Sequence, residues 1–225
     1  ISNTTSGAFS TIGGGGFNFA RGYAATVAGG GGFLSEPDGN SAMGDWSTVS
    51  GGRANHAGGE FAVVAGGEGN SAVGRFAVAL GGIGNVARAQ FSLAAGQNAD
   101  AEHDGAFVWA DASFSQVLRS TATNQFTARA SGGVRFFTDT QATTGAELAP
   151  GSGSWSSLSD RAAKDDVRPV DVRAVLERLA RVPLSTWRYK TQAPEVRHVG
   201  PMAQDFHAAF GLGEDDRHIS SVDAD

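Results

Sequence analysis

The sequence predicts a mostly β protein in which a repetitive solenoid precedes a small α+β unit. The first observation is a fixed 15-residue period in the first half of the chain. The second is the short alternation of apolar and small residues inside each copy of the repeat. The third is a shift in composition, since 30 of the 33 glycines precede Ser154 while residues 151–225 hold 10 of the 17 basic and 12 of the 23 acidic side chains. Such a shift indicates a domain boundary.

Three kinds of residue keep the 15-residue spacing, and a period of turn residues is typical of stacked solenoids. They are the glycine pairs at Gly51, Gly66 and Gly81, the asparagines Asn55, Asn70 and Asn85, and the aromatic residues Trp46, Phe61, Phe76 and Phe91. We expect Gly96 and Asp100 to continue the first two series. Earlier copies are looser and include a seven-residue insertion between Gly29 and Gly51.

Each copy should form two short strands and two turns. Segments such as F-A-V-V-A-G-G, residues 61–67, alternate with period two and end in glycine, which is typical of strands joined by tight turns. Stacked coils would lie about 4.8 Å apart. Because the interior positions are mostly Ala and Val, one coil encloses a thin core, and such a chain usually gains further burial by assembly.

The segment N-S-A-V-G-R-F-A-V-A-L-G-G, residues 70–82, resembles the head repeats of trimeric autotransporter adhesins. The resemblance implies a homotrimer of left-handed parallel β-rolls, with the head spanning residues 1–105. It also implies an extracellular fibre on a bacterial surface or a virion, whose head binds an unknown cell-surface receptor or glycan. A monomeric β-helix with the same repeat is the alternative.

Two acidic segments of the head allow more than one interpretation. The insertion near residues 33–38 is either a receptor contact or a loop that spaces the coils. The segment D-A-E-H-D, residues 100–104, is either a set of ligands for a hard metal ion or a solvated turn, and we expect no metal and no cofactor. A net charge of −6 without a basic stripe argues against nucleic acid as a partner. No apolar run is long enough to span a membrane.

Residues 106–158 are predicted to be a β-rich connector. The 15-residue register fades there, and longer strands are expected on both sides of a turn at Ser131–Gly133. Gly151–Ser154 is predicted to be a flexible hinge. The connector resembles those that precede the C-terminal domain of phage tail-fibre-like proteins.

The last 67 or so residues show a helical period instead. We predict a helix over residues 171–182 with Asp171 as its N-cap, a strand over 184–190, a second strand over 196–200, and a helix over 201–210 that begins with Pro201 in its first turn. The histidines show no pattern with a serine, so no catalytic triad for an external substrate is expected.

The order of these features resembles the C-terminal intramolecular chaperone domain of phage endosialidase tailspikes, other phage fibres and myelin regulatory factor. The shared features are the pair Ser159-Asp160, Lys164, the aromatic strand with Trp187 and Tyr189, and G-P-M-A-Q, which supplies Gly200, Ala203 and Gln204. The resemblance implies that residues 159–225 drive trimerisation and then hydrolyse the Leu158–Ser159 bond. It further implies that the domain continues beyond Asp225.

This resemblance makes Ser159 the nucleophile and Lys164 its base in a single-turnover serine autoprotease, with Asp160 in support. A lysine activates a serine when its amine is desolvated or lies near another cation. Five residues on one helix would point the two side chains about 140° apart, so Ser159 should precede a helical turn whose first residues include Lys164. The alternative makes Ser159 a helix N-cap, and the domain a permanent trimerisation clamp. Asp165 and Asp166, which replace the Glu-Asn common in relatives, would favour the charged lysine.

Overall fold

The computed structural model describes residues 2–32 and 38–220. The chain divides into two compact units at Gly132–Gly133. The first is a β-solenoid of about eight coils, and the second is a small α+β unit, so the predicted mostly β fold class is confirmed. The domain boundaries at residues 105 and 158 stay a prediction.

Each coil of the solenoid contributes one strand to each of two parallel sheets. The first sheet stacks β1 (Thr4–Thr5), β3 (Phe19–Ala20), β5 (Ser41–Ala42), β7 (His56–Ala57), β9 (Ser71–Ala72), β11 (Val86–Ala87), β13 (Ala99–Ala101) and β15 (Leu118–Arg119). The second stacks β2 (Thr11–Ile12), β4 (Thr26–Val27), β6 (Thr48–Val49), β8 (Val63–Val64), β10 (Val78–Ile83), β12 (Leu93–Gln97), β14 (Phe107–Ala110) and β16 (Phe126–Arg129).

The core between the two sheets is built almost entirely from alanine and valine. Val27, Val49, Val64 and Val108 are its largest apolar side chains and are fully buried. In the second sheet, the residue just before the buried one in each strand faces outward. These outward residues align from strand to strand in direct register, as in Val63↔Val78 and Val78↔Leu93. A core of such small side chains confirms that one coil encloses little apolar volume.

A ladder of buried asparagines connects the coils. The side-chain oxygen of Asn55 accepts the backbone N–H of Asn70, at 2.9 Å, and that of Asn70 accepts the N–H of Asn85, also at 2.9 Å. The Asn70 amide nitrogen donates to the carbonyls of Gly66 and Gly82. Every hydrogen bond of this side chain is therefore made inside the solenoid, where an unpaired polar group is costly.

We expect Asn70→Ala to destabilise the solenoid by about 1–3 kcal/mol, because the buried N–H of Asn85 loses its acceptor and the part-buried carbonyls of Gly66 and Gly82 each lose a donor. Denaturant unfolding followed by circular dichroism measures the loss. Ser71→Ala is the matched control: its side chain faces outward from the same coil, and we expect a change within about 0.5 kcal/mol. Equal effects of the two substitutions would show that the ladder contributes no special stability.

The aromatic residues of the repeat form a second ladder at the turns. Trp46, Phe61, Phe76 and Phe91 stack with centroid distances of 4.9, 5.0 and 5.1 Å and nearly parallel rings. Each has a left-handed backbone, with φ between 53° and 58°, which is strained for a bulky residue. Stacking between coils offsets this strain. The 15-residue spacing of the aromatic residues therefore marks a turn position and not a core position.

The glycine period has a steric cause. Gly67 has φ +85°, and a Cβ there would lie 2.2 Å from the carbonyl oxygen of Gly82 in the next coil. Glycine therefore satisfies both the left-handed turn and the close approach of successive coils.

The predicted continuation of the two series at Gly96 and Asp100 is wrong in register. A bulge between Ala79 and Gly82 shortens the spacing, so that Gly82 aligns with Gly96 after only 14 residues. Asn85 then accepts the N–H of Ala99. Asp100 instead aligns with Val86, and its buried carboxylate pairs with Arg88 at 2.7 Å and Arg119 at 3.6 Å.

The parallel ladder continues past residue 105 with a wider coil. Phe107 pairs with Phe126 and Asp100 with Arg119, in each case 19 residues apart. The extra residues form a loop that Arg129 ties down, since its guanidinium donates to the carbonyls of Asp111, Phe114 and Gln116. The fading of the 15-residue register therefore reflects longer turns and not the end of the solenoid.

The second unit begins with an antiparallel sheet of β17 (Val134–Phe137), β18 (Gly145–Leu148) and β19 (Ser156–Ser157). A 3₁₀ helix covers Arg161–Ala163, and α1 covers Val172–Leu179. The hairpin of β20 (Ser185–Trp187) and β21 (His198–Gly200) precedes α2, Ala203–Phe210. Asp171 caps α1 as predicted, accepting two backbone N–H groups, whereas Pro201 lies before α2 and not in its first turn, because Met202 is the N-cap.

Two further sequence expectations concern receptors and membranes. Residues 33–37, which make up most of the predicted receptor contact, lie outside the described residues. None of the helices in the described part of the chain has the length and apolar character needed to cross a membrane.

Candidate functional site

The predicted cut site lies at the end of a strand. β19 pairs antiparallel with β18, and Ser157 aligns with Ala146. The backbone N–H of Leu158 donates to the carbonyl of Gly145 at 2.9 Å and so extends the pairing by one residue. The chain is thus held in an extended conformation up to the Leu158–Ser159 bond and leaves the sheet there.

A single 3₁₀ turn follows the bond and folds the chain back. The Asp160 carboxylate caps this turn by accepting the N–H of Ala162 at 2.9 Å. At the other end, the N–H of Lys164 donates to the carbonyl of Arg161. Lys164 is therefore the C-cap of the turn rather than a residue of its first turn, and this corrects the helix geometry expected from the sequence.

The turn brings the two predicted catalytic side chains together. Lys164 Nζ donates to Ser159 Oγ over 2.5 Å, and both side chains are exposed to solvent in the single chain. The N-cap is Asp160, so capping the turn does not occupy the Ser159 hydroxyl. A serine whose hydroxyl oxygen contacts a lysine nitrogen has the geometry needed for nucleophilic catalysis.

The two acids after Lys164 have other partners. The Asp165 carboxylate accepts the N–H of Asp166 at 2.8 Å, and Asp166 pairs with Arg168 at 2.8 Å. Within the described residues, Lys164 forms no ion pair with a carboxylate. The sequence suggested that these two acids would favour the charged form of Lys164. The described residues show no ion pair between either acid and the lysine.

The other family-motif residues form a separate corner of the unit. Gly200 ends β21 and aligns with Ser185, and Ala203 begins α2. Gln204 lines a groove with Trp187 and Tyr189, whose rings meet edge to face at 5.1 Å. Over the described residues these side chains form no hydrogen bond with Ser159 or Lys164, and their structural role stays a prediction.

The acidic segment 100–104 is used for structure. Asp100 pairs with two arginines, Glu102 pairs with Arg119 at 2.9 Å, and Asp104 accepts the N–H of Gln90. The described residues contain no group of three or more His, Cys, Asp or Glu side chains that could hold a metal ion. The carboxylates instead fix neighbouring coils to one another.

One histidine contacts a serine, although the sequence shows no pattern that pairs them. His103 Nδ1 lies 2.9 Å from the hydroxyl of Ser120 in the next coil. Ser120 is 2% exposed and also accepts the N–H of Glu102. A buried hydroxyl with two internal partners joins coils, and sequence spacing could not reveal it because the wider coil sets this contact.

The fold and the site define a repetitive β-solenoid followed by a small unit with a hydrogen-bonded serine–lysine pair at the end of a strand. Residues 159–211 match the family model described as chaperone of endosialidase. The match begins at Ser159 and includes Lys164 and the corner at residues 200–204, which confirms the predicted resemblance of the C-terminal segment. Such a domain suggests a chaperone of assembly. No curated protein is significantly similar to the chain.

Proposed function

We propose that the chain is a segment of an extracellular homotrimeric fibre whose C-terminal domain drives assembly and then cuts itself off at Leu158–Ser159. The observation that carries this proposal is the hydrogen bond from Lys164 Nζ to Ser159 Oγ, directly after a strand that holds the cut bond. The family match starts at the same serine. The head would bind a cell-surface receptor or glycan on behalf of a bacterium or a phage particle.

The cleavage requires only the chain and one water molecule. Ser159 Oγ attacks the carbonyl carbon of Leu158 while the Lys164 amine takes the hydroxyl proton. The peptide C–N bond then breaks as the lysine returns that proton to the Ser159 nitrogen, which leaves an ester between Leu158 and the serine oxygen. Water hydrolyses the ester, so that Leu158 gains a carboxylate and Ser159 becomes a free N-terminus with its hydroxyl restored.

Assembly supplies what the single chain lacks. Both dyad side chains are exposed, and a lysine acts as a base only as the neutral amine, which desolvation favours. Burial of Ser159 and Lys164 against neighbouring copies would remove the solvent around the lysine amine and so favour its neutral form. Cleavage would then follow trimerisation, and a chain that had not yet assembled would keep its chaperone.

Exposed apolar surfaces support self-association in both units. In the second unit, α1 leaves one apolar face in solvent, with Val172, Leu176 and Leu179 between 53% and 65% exposed. In the first unit, the outward column of the second sheet becomes apolar towards the C-terminus, from Val63 through Leu93 to Phe126. Large exposed apolar faces mark surfaces that associate with other chains.

Light scattering of the uncut Ser159→Ala chain tests assembly. We expect three times the 23.0 kDa chain mass. Leu176→Asp should shift this mass towards one chain at micromolar concentration, because it places a charge on the apolar face of α1. Arg173→Asp is the control, since it adds an acid to the same helix outside that face and should leave the mass unchanged. A monomeric Ser159→Ala chain would contradict the trimer.

A further inference from the structure

A pocket of about 300 Å³ lies beside the predicted cut site. It is lined by Ala142, Thr143, Leu158, Asp160, Ala162 and Ala163. One wall therefore comes from the loop between β17 and β18, and the other from the 3₁₀ turn that positions Lys164. Three of the lining residues are alanines, so the space is open to one aliphatic side chain.

The loop wall is fixed by a carboxylate. Asp139 accepts the hydroxyl of Thr143 at 2.7 Å and the backbone N–H groups of Thr143 and Thr144, each at 2.9 Å. These hydrogen bonds, with the Thr143 side chain first, lower the pKa of the Asp139 carboxyl below its usual value. A carboxylate with several donors holds its turn in one conformation.

The turn wall is fixed independently by the Asp160 cap and the hydrogen bond from Lys164 N–H to the Arg161 carbonyl. Leu158 is fixed between the two walls, because its N–H pairs with Gly145 on β18. Successive side chains of a strand point to opposite faces, so Leu158 faces the pocket and Ser157 faces away. The leucine is 37% exposed.

We infer that this pocket is a subsite for a small aliphatic side chain and that it selects Leu158 as the residue on the amino side of the cut bond. The inference rests on the proposed self-cleavage. A side chain seated in the pocket restrains rotation about the backbone of Leu158 and keeps its carbonyl carbon against Ser159 Oγ. Restraining a reacting group in this way can contribute several orders of magnitude to a rate.

The pocket also accounts for the position of the cut. The strand alone would present Ser156, Ser157 and Leu158 equally, since β19 pairs along its length with β18. Only Leu158 combines a side chain that borders the pocket with a following serine that contacts Lys164. Leu158 is therefore a positioning residue, and the dyad performs the chemistry.

Cell-free synthesis of the labelled full chain tests the inference, with the cut fraction followed over time on a gel. Methionine and glutamine are matched in length and flexibility, so Leu158→Met should be cut within about threefold of the natural rate. Leu158→Gln should be cut at least about tenfold more slowly, because an amide is costly where four of the six lining residues are apolar. The same pair at Ser157, which faces away, should show equal rates. Leu158→Ala should also be cut about tenfold or more slowly than Leu158→Met, since its methyl group is too short to enter the pocket.

The outcomes separate the two proposals. A natural chain that is never cut contradicts the self-cleavage itself. A natural chain that is cut, together with equal rates for Met and Gln or for Met and Ala at position 158, overturns the subsite. Each variant is also made with Ser159→Ala, and an unchanged trimer mass shows that a slower cut arises at the site; the Ala comparison decides the matter if the Gln variant does not assemble.

Discussion

Ser159→Ala and Lys164→Ala are each expected to leave the chain whole, with cleavage at least about 10³-fold slower than in the natural chain. Groups that act as one catalytic unit are non-additive, so either loss removes most of the acceleration and the double variant should be no slower. The physical reason is the direct contact between Lys164 Nζ and Ser159 Oγ. Cleavage is measured as the fraction of cut chain after a fixed time of synthesis.

Three controls make this prediction specific. Lys190 is the only other lysine of the chain, and Lys190→Ala should be cut normally, as should Ser157→Ala. Lys164→Arg keeps a cation that can still reach the serine, but arginine does not give up its proton, so this variant should assemble and stay uncut. Normal cutting of Lys164→Arg or Lys164→Ala would rule out the lysine as base, even with the cut at the predicted bond.

The second expected result is an asymmetry in refolding. After full denaturation, residues 1–158 released by cleavage should fail to regain their trimers, while the uncut Ser159→Ala chain should do so. Joining three C-termini makes the first contact between coils effectively intramolecular, at millimolar effective concentration. At micromolar chain concentration this amounts to a roughly 10³-fold advantage for the uncut chain.

The solenoid explains why such help is needed. Its two sheets pair strands 14 to 22 residues apart, as in Leu93↔Phe107 and Thr26↔Thr48, and its Ala/Val core gives little energy until several coils are stacked. Once the coils have stacked, a slow unfolding rate protects them. Under the proposed function, loss of the chaperone would then remove the route by which trimers reform, and assembly would be irreversible in practice.

The refolding experiment has an internal control. Ser157→Ala is cut like the natural chain and should refold as poorly, whereas Ser159→Ala and Lys164→Ala should both refold well. Trimer recovery is measured by light scattering after dilution from denaturant. Released head that refolds as fast and as fully as the uncut chain would show that residues 159–225 are not a chaperone. A permanent clamp predicts instead that the natural chain and Ser159→Ala behave alike.

Much of this molecule could be predicted from local patterns. The 15-residue spacing of residues such as Gly66 and Asn70 predicted the solenoid coil, because each coil repeats the same turn and the same hydrogen bonds. Asp171 predicted the start of α1, because capping is decided within one turn of chain. The serine–lysine contact could also be predicted from the sequence, since five residues span a single 3₁₀ turn.

Other features depended on contacts that spacing does not encode. The bulge near Gly81 shifted Asp100 out of the asparagine series, and the wider coil brought His103 to Ser120. The pocket around Leu158 joins two segments about 15 residues apart through a loop whose shape Asp139 decides. The helical period of residues 171–182 also predicted an apolar face on α1, but the spacing could not show that the described residues leave this face exposed.

Intact-mass spectrometry of the freshly made natural chain, beside Lys164→Arg, tests the central claim most directly. The account predicts two species from the natural chain, residues 1–158 ending in the Leu158 carboxylate and residues 159–225 beginning with the free amine of Ser159, and one intact species from Lys164→Arg. A natural chain that stays whole while it forms trimers, or a cut at any other bond, would contradict it.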